Sequence, residues 1–214
     1  ELLKVPFGSD VKGAKFLGII EDAVQRMIGM TQEILDYARG NVELALGPVN
    51  LSRELHELVD RHTIMLEREN INLVYRENIA ELTSPVFNLD RQKIVRAVTN
   101  ILDNAQSVSP RGGRIRLFLT VAEKSAFIRI EDSGPGIPNE IRDTLFDPFI
   151  TLGKAHGTGL GLCITKSIVE GHGGKITVES TEGQGTSFTL AFPRNWSNTR
   201  AHGEIHQGEL VNAD

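Results

Sequence analysis

Apolar side chains near the start of the chain recur at the spacing of a helix that packs against other helices. After Pro6 and Gly8 interrupt the opening ELLK, Ser9 or Asp10 is placed to cap a helix over Val11–Arg39. Alternating steps of four and three residues mark its apolar face at Ile20, Val24, Met27, Thr31, Ile34 and Ala38. This heptad pattern favours a bundle shared between chains over an ordinary core helix of one domain, because a clear linker follows it.

The rest of the chain shows both helical and strand periods. Helices are predicted over Leu51–Arg68, Arg91–Val108, Asn139–Leu145 and Leu160–Glu170, the first two capped by Asn50 and Asp90. Strands are predicted over Ile71–Glu77, Arg114–Val121, Ser125–Glu131, Lys175–Ser180 and Thr186–Phe192. Because helices and paired strands do not alternate regularly, the fold class is α+β: a two-layer α/β sandwich with helices on one face of a mixed sheet, preceded by the long helix.

The chain divides into a helical segment at residues 1–46, a sandwich domain at 47–193 and a flexible polar tail at 194–214. Its 23 basic and 28 acidic residues leave a net charge of −5, which disfavours nucleic acid as a partner. No run of 18 apolar residues exists, so we expect no membrane contact by this segment. The single cysteine excludes a disulfide framework and a four-thiolate zinc site.

Glycine is in excess, and the excess is local. The chain has 21 glycines in 214 residues, against a usual share of about 7%. Eleven of them lie between Gly134 and Gly185. Glycines gathered in loops indicate close approach of the backbone to a bound molecule, so candidate chemistry is sought first in this stretch.

Two asparagines stand one turn apart on the predicted helix 91–108. Asn100 and Asn104 are at i and i+4, so both amides project from one face. An amide oxygen is a hard, neutral ligand that suits Mg²⁺, which keeps water and substrate phosphates as its other ligands. Two surface or capping asparagines are the alternative for the pair taken alone.

Asp132 begins the segment DSGPGI directly after a predicted strand. Its carboxylate at a strand end can accept a hydrogen bond from an exocyclic amine, while Gly134 and Gly136 let the backbone turn under a flat ring. Adenine has that amine and guanine has a carbonyl there, so such an aspartate would discriminate between them. A plain Asp-Ser-Gly turn is the alternative.

The segment GTGLGL at residues 157–162 leads into a predicted helix. Backbone N–H groups of a glycine-rich turn at a helix N-terminus form an anion site. No lysine follows the last glycine and no strand precedes the turn, so neither a Walker A loop nor a dinucleotide fingerprint fits. Lys154 and His156 lie just upstream and could add positive charge, or could be solvated loop side chains. Thr186, in GQGTSF, could reach the base through water.

Taken in order, the asparagine pair, DxGxG, FDPF, GTGLGL and GxGTxF resemble the N, G1, F, G2 and G3 boxes of the histidine-kinase catalytic domain. That domain has the Bergerat, or GHKL, ATP-binding fold, which it shares with type II topoisomerases, heat-shock chaperone ATPases and mismatch-repair ATPases. The resemblance covers residues 49–193, and NAQSVSPRGG at residues 104–113 is similar to the nitrogen-regulator branch of the family.

The resemblance implies ATP and Mg²⁺ as cofactors and a role for each matched residue. Asn104 is the implied magnesium ligand, Asp132 the adenine-binding residue, and Phe146 and Phe149 the hinge of the ATP lid. The implied catalytic residues are Asn100 and Lys154. The implied nucleotide-binding residues are Asn104, Ser107, Asp132, Gly134, Gly136, Ile137, Phe149, Gly157, Thr158, Gly159, Leu160, Gly161, Leu162 and Thr186.

Two departures from the family pattern change this picture. Ser107 and Val108 stand where many members carry a Lys-Tyr pair, so Lys154 becomes the favoured phosphate cation. Relatives that hydrolyse ATP place a glutamate one turn before the metal asparagine, whereas this chain has Asn100. An amide cannot act as a general base near neutral pH, and Asp103 points elsewhere on the helix, so phosphoryl transfer is favoured over hydrolysis.

The family's phosphoacceptor is a histidine on the first helix of a dimerisation hairpin. None of the six histidines has the expected sequence context: His56, His62, His156, His172, His202 and His206. We therefore expect ELLK to be the end of that first helix, the acceptor to lie about four helical turns upstream, and the helix at 11–39 to form a homodimer.

The implied function is ATP-dependent phosphorylation of that histidine in a two-component sensor kinase, for relay to the receiver domain of a response regulator. The implied location is the cytoplasm, whether or not the parent protein is anchored in a membrane. A nucleotide-binding switch that transfers no phosphate, and a GHKL ATPase, are the alternatives.

Overall fold

The computed structural model describes residues 44–151 and 158–194, together with ten helical positions between residues 17 and 35. Its helices are α1 (Leu51–Arg68), α2 (Arg91–Val108), α3 (Asn139–Arg142) and α4 (Gly161–Gly171). Its strands are β1 (Gly47–Asn50), β2 (Asn72–Ile79), β3 (Val86–Leu89), β4 (Arg114–Val121), β5 (Ser125–Glu131), β6 (Lys175–Thr181) and β7 (Gly185–Pro193). The opening ELLK and the tail at 195–214 lie outside the described residues.

A five-stranded mixed sheet forms one layer of the fold. Its order is β2-β4-β5-β7-β6, with β2 parallel to β4 and the other neighbours antiparallel. Alternate residues of β4, such as Ile115 and Leu117, are fully buried against the helices, while Arg114 and Arg116 face outward. The predicted two-layer α+β sandwich is confirmed.

Most elements occur where the periodicity predicts them. Helices α1 and α2 and strands β4 and β5 have the predicted bounds. The side-chain oxygens of Asn50 and Asp90 accept from the backbone N–H of Arg53 and Lys93, so both caps are confirmed. The β4–β5 and β6–β7 hairpins are also confirmed.

A small second sheet is not predicted by the sequence. The sequence pattern predicts no strand at 47–50, yet this segment forms β1 and pairs antiparallel with β3. Each strand has four residues, which is too short for a clear alternating pattern. Their pairing joins Gly47 to Leu89, across 42 positions of sequence, so only the tertiary structure brings them together.

The ten described positions between residues 17 and 35 are all helical, as the heptad pattern predicts. Four of the seam residues are exposed in the single chain: Ile20 (55%), Val24 (46%), Met27 (68%) and Ile34 (53%). A seam of this kind on one chain needs a partner surface to bury it. Within the described part of the chain, none of the helices combines the length and the apolar character that crossing a membrane requires.

Helices α1 and α2 lie side by side and are joined by a histidine–carboxylate contact. His62 of α1 is buried, and its Nδ1 lies 2.8 Å from the Leu58 carbonyl oxygen, which can only accept a hydrogen bond. Its Nε2, 3.7 Å from Asp103 Oδ1 of α2, therefore carries a proton only when the ring is cationic. Hydrogen bonding to Asp103 raises the pKa of His62, against the opposing effect of burial.

Replacing Asp103 with Asn is therefore expected to lower stability in a pH-dependent way. Because the pKa of His62 is raised in the folded state, the contact with Asp103 adds to the free energy of unfolding. This contribution is complete below the ordinary histidine pKa and disappears as pH rises through the raised pKa. Because Asp103 is 59% exposed, we expect a loss of only about 0.2–1 kcal/mol, seen in urea unfolding at pH 5.5 and absent at pH 9. Equal losses at both pH values would contradict this account of the contact.

Candidate nucleotide-binding site

Asp132, at the end of β5, is held by backbone groups from two directions. Its Oδ1 accepts from the N–H of Gly134 at 2.8 Å and from the N–H of Thr186 at 3.3 Å. Burial raises the pKa of Asp132, and these two hydrogen bonds oppose that shift. Its Oδ2 has no hydrogen-bond partner among the described residues, so one oxygen remains to accept from a ligand.

The backbone around Asp132 is packed too tightly for side chains. A Cβ on Gly134 would lie 2.8 Å from both Asp132 Oδ1 and Val108 Cγ2. Gly136 has φ +76°, and a Cβ there would overlap the Thr181 carbonyl. These two positions require glycine. The absence of a side chain at Gly134 lets the Asp132 turn pack directly against Val108, at the C-terminal end of α2.

Ser180 of β6 links the other residues of this pocket, and sequence reasoning missed it. Its Oγ accepts from the N–H of Ile137 at 2.9 Å, donates to the Gly185 carbonyl at 3.0 Å and lies 3.1 Å from Thr186 Oγ1. A serine at a strand end gives no signal in the sequence. Its hydroxyl joins Ile137 and Thr186, whose side chains are buried, into one wall of the site.

Asn100 joins α2 to the N-terminus of α4. Its Nδ2 donates to the Gly161 carbonyl at 3.2 Å and lies 3.4 Å from Thr165 Oγ1. Asn104, one turn along, is half-buried, and its backbone carbonyl accepts from the Ser107 hydroxyl at 2.7 Å. Helix α2 therefore carries candidate metal and phosphate residues on one face, whereas Asp103 points away toward His62, as expected.

The residues present fit Mg²⁺ only as a partner of a bound nucleotide. Within the described ranges, no three His, Cys, Asp or Glu side chains are grouped to hold a metal ion. Magnesium often takes one or two protein ligands and completes its shell with water and phosphate oxygens. The amide oxygen of Asn104 is suited to such a role.

A backbone hydrogen bond joins Phe149, in the segment FDPF, to Gly159 of the glycine-rich segment. The N–H of Phe149 donates to the Gly159 carbonyl at 3.0 Å, and both residues have positive φ, +68° and +72°. A Cβ on Gly159 would overlap the Phe149 backbone. Lys154, His156 and Gly157 lie outside the described residues. Phe149 is 65% exposed.

The residues that open α4 differ in what they can offer a ligand. Leu160 is fully buried, so only its backbone could reach a nucleotide, and its N–H donates to the Thr158 hydroxyl at 3.2 Å. Gly161 and Leu162 are half-buried. Phe146 also packs on the core, with Lys166 Nζ 5.8 Å from its ring.

The far end of α4 is fixed by a buried histidine. His172 Nδ1 donates to the Ile168 carbonyl at 2.7 Å, and its Nε2 accepts from the N–H of Asp90 at 2.9 Å. Burial lowers the pKa of His172, which keeps the ring neutral, as this pair of contacts requires. Asp90 also accepts from the N–H of Ala45 at 2.9 Å, so the segment before β1 is tied to both helices.

Helix α2 thus runs between two groups of candidate residues. At its C-terminal end, Val108 touches the turn that contains Asp132 and Gly134. Two turns earlier, Asn100 binds the start of α4. Eight residues of helix separate the two contacts by about 12 Å.

Comparison with known proteins identifies the family of this chain and several relatives. Residues 89–195 match the family described as histidine kinase-, DNA gyrase B-, and HSP90-like ATPase. The chain is 32% identical to the sensory histidine kinase/phosphatase NtrB of Klebsiella oxytoca, over 89% of this chain and 59% of that protein. It is 31% identical to the alginate biosynthesis sensor protein KinB of Pseudomonas aeruginosa, over 89% of this chain and 32% of that protein.

The fold is also similar to that of solved histidine kinases. The structure of histidine kinase ThkA in complex with response regulator protein TrrA matches with a TM-score of 0.67 and 26% identity, over 85% of this chain and 51% of that one. The chain spans only a third to about three fifths of the length of the two relatives named above. The matched region nevertheless covers half of the sequence, and the chain belongs to the histidine kinase-, DNA gyrase B- and HSP90-like ATPase family, with histidine kinases as its relatives.

Proposed function

We propose that this chain is the ATP-binding catalytic part of a two-component sensor histidine kinase. It transfers the γ-phosphoryl group of ATP to a histidine other than the six in this sequence, for relay to an aspartate of a response-regulator receiver domain. The observation that carries the proposal is the course of α2, which connects the Asp132 turn to the start of α4. The ATPase family of the chain supports ATP as the nucleotide.

The residues divide between the two ends of the nucleotide. Asp132 Oδ2 accepts from the adenine amine, with Ile137 and Thr186 beside the base. Asn104 holds Mg²⁺, which when bound neutralises phosphate charge. The backbone of Thr158–Gly161 and the positive end of α4 attract the phosphates, with Gly157 and Lys154 assigned to the same end from the sequence.

Phosphoryl transfer is favoured over hydrolysis by what surrounds Asn100. Its amide nitrogen already donates to the Gly161 carbonyl, and an amide has no basic site near neutral pH. The nearest carboxylate on α2, Asp103, faces His62. Water at the γ-phosphate therefore lacks a general base from α2, while positioning and charge neutralisation still serve a better nucleophile.

The partners follow from the remaining features. The exposed seam at Ile20, Val24, Met27 and Ile34 supports a homodimer through the helix at 11–39. The related kinase ThkA was solved with a response regulator, which supports a receiver domain as the second partner. ATP as substrate and a receiver domain as partner support the cytoplasm as the location of the proposed activity.

The test is phosphoryl transfer to a separately expressed helical hairpin that contains a histidine. With γ-labelled ATP and Mg²⁺, the chain should label the hairpin while remaining unlabelled itself. Asn104→Ala should reduce labelling by about 100-fold or more, since it removes the proposed metal ligand. Asn78→Ala, which removes an exposed amide on β2, is the matched control and should label normally.

The other possible results each identify a different activity. Steady-state release of phosphate without labelling, abolished by Asn104→Ala, would identify an ATP-hydrolysing enzyme. ATP binding with neither labelling nor release would identify a nucleotide-binding switch. Label on any histidine within residues 1–214 would overturn the assignment of the acceptor to another segment.

A further inference from the structure

Thr165 lies at the junction of the two helices that form the phosphate end of the site. Its side chain is fully buried on α4, where its hydroxyl donates to the Gly161 carbonyl at 2.8 Å. The same oxygen lies 3.4 Å from Asn100 Nδ2, and that nitrogen also donates to the Gly161 carbonyl at 3.2 Å. These three groups form a polar link between α2 and the N-terminal end of α4.

A threonine hydroxyl that bonds the carbonyl four residues earlier is by itself an ordinary helix contact. The contact across to α2 is what gives Thr165 a further consequence. The Gly161 carbonyl can only accept a hydrogen bond, and the Thr165 proton is already directed to it. Both groups therefore require the NH₂ of Asn100 to face α4, which turns the amide oxygen of Asn100 away from α4.

The same link constrains which residue can occupy position 100. A carboxylate there would set a negative oxygen against the Gly161 carbonyl, with one hydroxyl proton to share between the two acceptors. An amide satisfies both acceptors without that repulsion. The contacts at this junction therefore favour asparagine over a carboxylate residue at position 100. Asparagine is also the residue that the proposed transfer reaction requires there.

We propose that Thr165 is a positioning residue for the phosphate end of the nucleotide. Its hydroxyl holds Asn100 and the Gly161 carbonyl together, and so sets the start of α4 against the helix face that carries Asn104. This inference rests on the proposed function, because it assigns phosphate and Mg²⁺ to these residues. Thr165 itself touches no ligand, and its effect passes through Asn100 and Gly161.

The test compares Mg²⁺-dependent ATP binding with binding of adenosine, which has no phosphates. Thr165→Val removes the hydroxyl at nearly constant volume and should weaken Mg·ATP binding by about threefold to tenfold, the effect of one hydrogen bond. Adenosine affinity should stay within about twofold, since Asp132 and its turn are not altered. Thr165→Ser keeps the hydroxyl and should restore Mg·ATP affinity.

A double-mutant cycle tests the route through Asn100. Asn100→Ala should weaken Mg·ATP binding, and adding Thr165→Val should cause little further loss, because one link carries both effects. Should Thr165→Val fail to fold, Thr165→Ala, which also removes the hydroxyl, decides the point, since loss of this link must still reduce Mg·ATP affinity more than adenosine affinity.

Three results would contradict the inference. They are wild-type Mg·ATP affinity in Thr165→Val, equal loss of ATP and adenosine binding, and additive losses in the double variant. If the unmodified chain shows no Mg²⁺-dependent binding of ATP, the proposed function fails and the inference fails with it. If the unmodified chain binds normally, these three results bear on Thr165 alone.

Discussion

Replacing Asp132 with Asn should reduce the affinity of the chain for ATP by about 10- to 100-fold. The carboxylate is held at Oδ1 by the N–H groups of Gly134 and Thr186, which leaves Oδ2 to accept from the adenine amine. A hydrogen bond to a charged group contributes about 1.5–3 kcal/mol, which gives a loss of this size. Isothermal titration with Mg·ATP measures it, and Asp60→Asn, on the exposed surface of α1, is the matched control.

The same variant should change base preference as well as affinity. The amide introduced at position 132 could donate to the guanine carbonyl, so the ratio of ATP to GTP affinity should fall. Because the pKa of Asp132 is raised, acidification should also weaken ATP binding in the unmodified chain, as the carboxylate takes up a proton and loses its acceptor oxygen. Unchanged ATP affinity and an unchanged ATP to GTP ratio in Asp132→Asn would show that this residue does not read the base.

Replacing Gly185 with Ala should lower the free energy of unfolding by about 3–5 kcal/mol. Gly185 has φ +105°, which alanine adopts only with strain, and a Cβ there would overlap the Asp132 carbonyl. The backbone must shift where β7 meets the end of β5, so ATP binding should be lost as well. Urea unfolding monitored by circular dichroism gives the stability change.

Gly183, in the same turn, provides the matched control. It also has positive φ, +79°, but a Cβ there meets no atom within 4 Å. Gly183→Ala should therefore cost about 1 kcal/mol, from strain alone, and leave ATP affinity intact. Equal stability losses in the two variants would mean that the close approach of Gly185 to Asp132 contributes nothing to the fold.

The elements that could be predicted share a strong local signal. Helices α1 and α2 have an apolar face at helical spacing and an Asn or Asp cap, and both have the predicted bounds. Strands β4 and β5 alternate clearly and are separated by a short turn. Strands β1 and β3 are too short to show a period, and their pairing depends on contacts between distant segments.

The candidate site shows the same division. Asp132, its glycines and the asparagine pair are marked in the sequence by residue type and spacing. Ser180 and Thr165 are not, because a hydroxyl in a strand or a helix is common and its partners lie on other elements. The environment of His62 also depends on such a contact, since it is Asp103 of α2 that raises its pKa.

The sequence by itself determined the order of the main helices and of the five strands of the large sheet, and it determined the family; it also supplied the residues proposed for adenine, metal and phosphate. These depend on local periodicity and on residue types at fixed spacing. Only the tertiary structure decided that Asn100 faces Gly161 and Thr165, and that Ser180 joins Ile137 to Thr186. It also decided that the backbone of Gly185 lies too close to the Asp132 carbonyl for a side chain. Hydrogen bonds and close packing between distant segments depend on how the elements are placed in three dimensions, which no local pattern specifies.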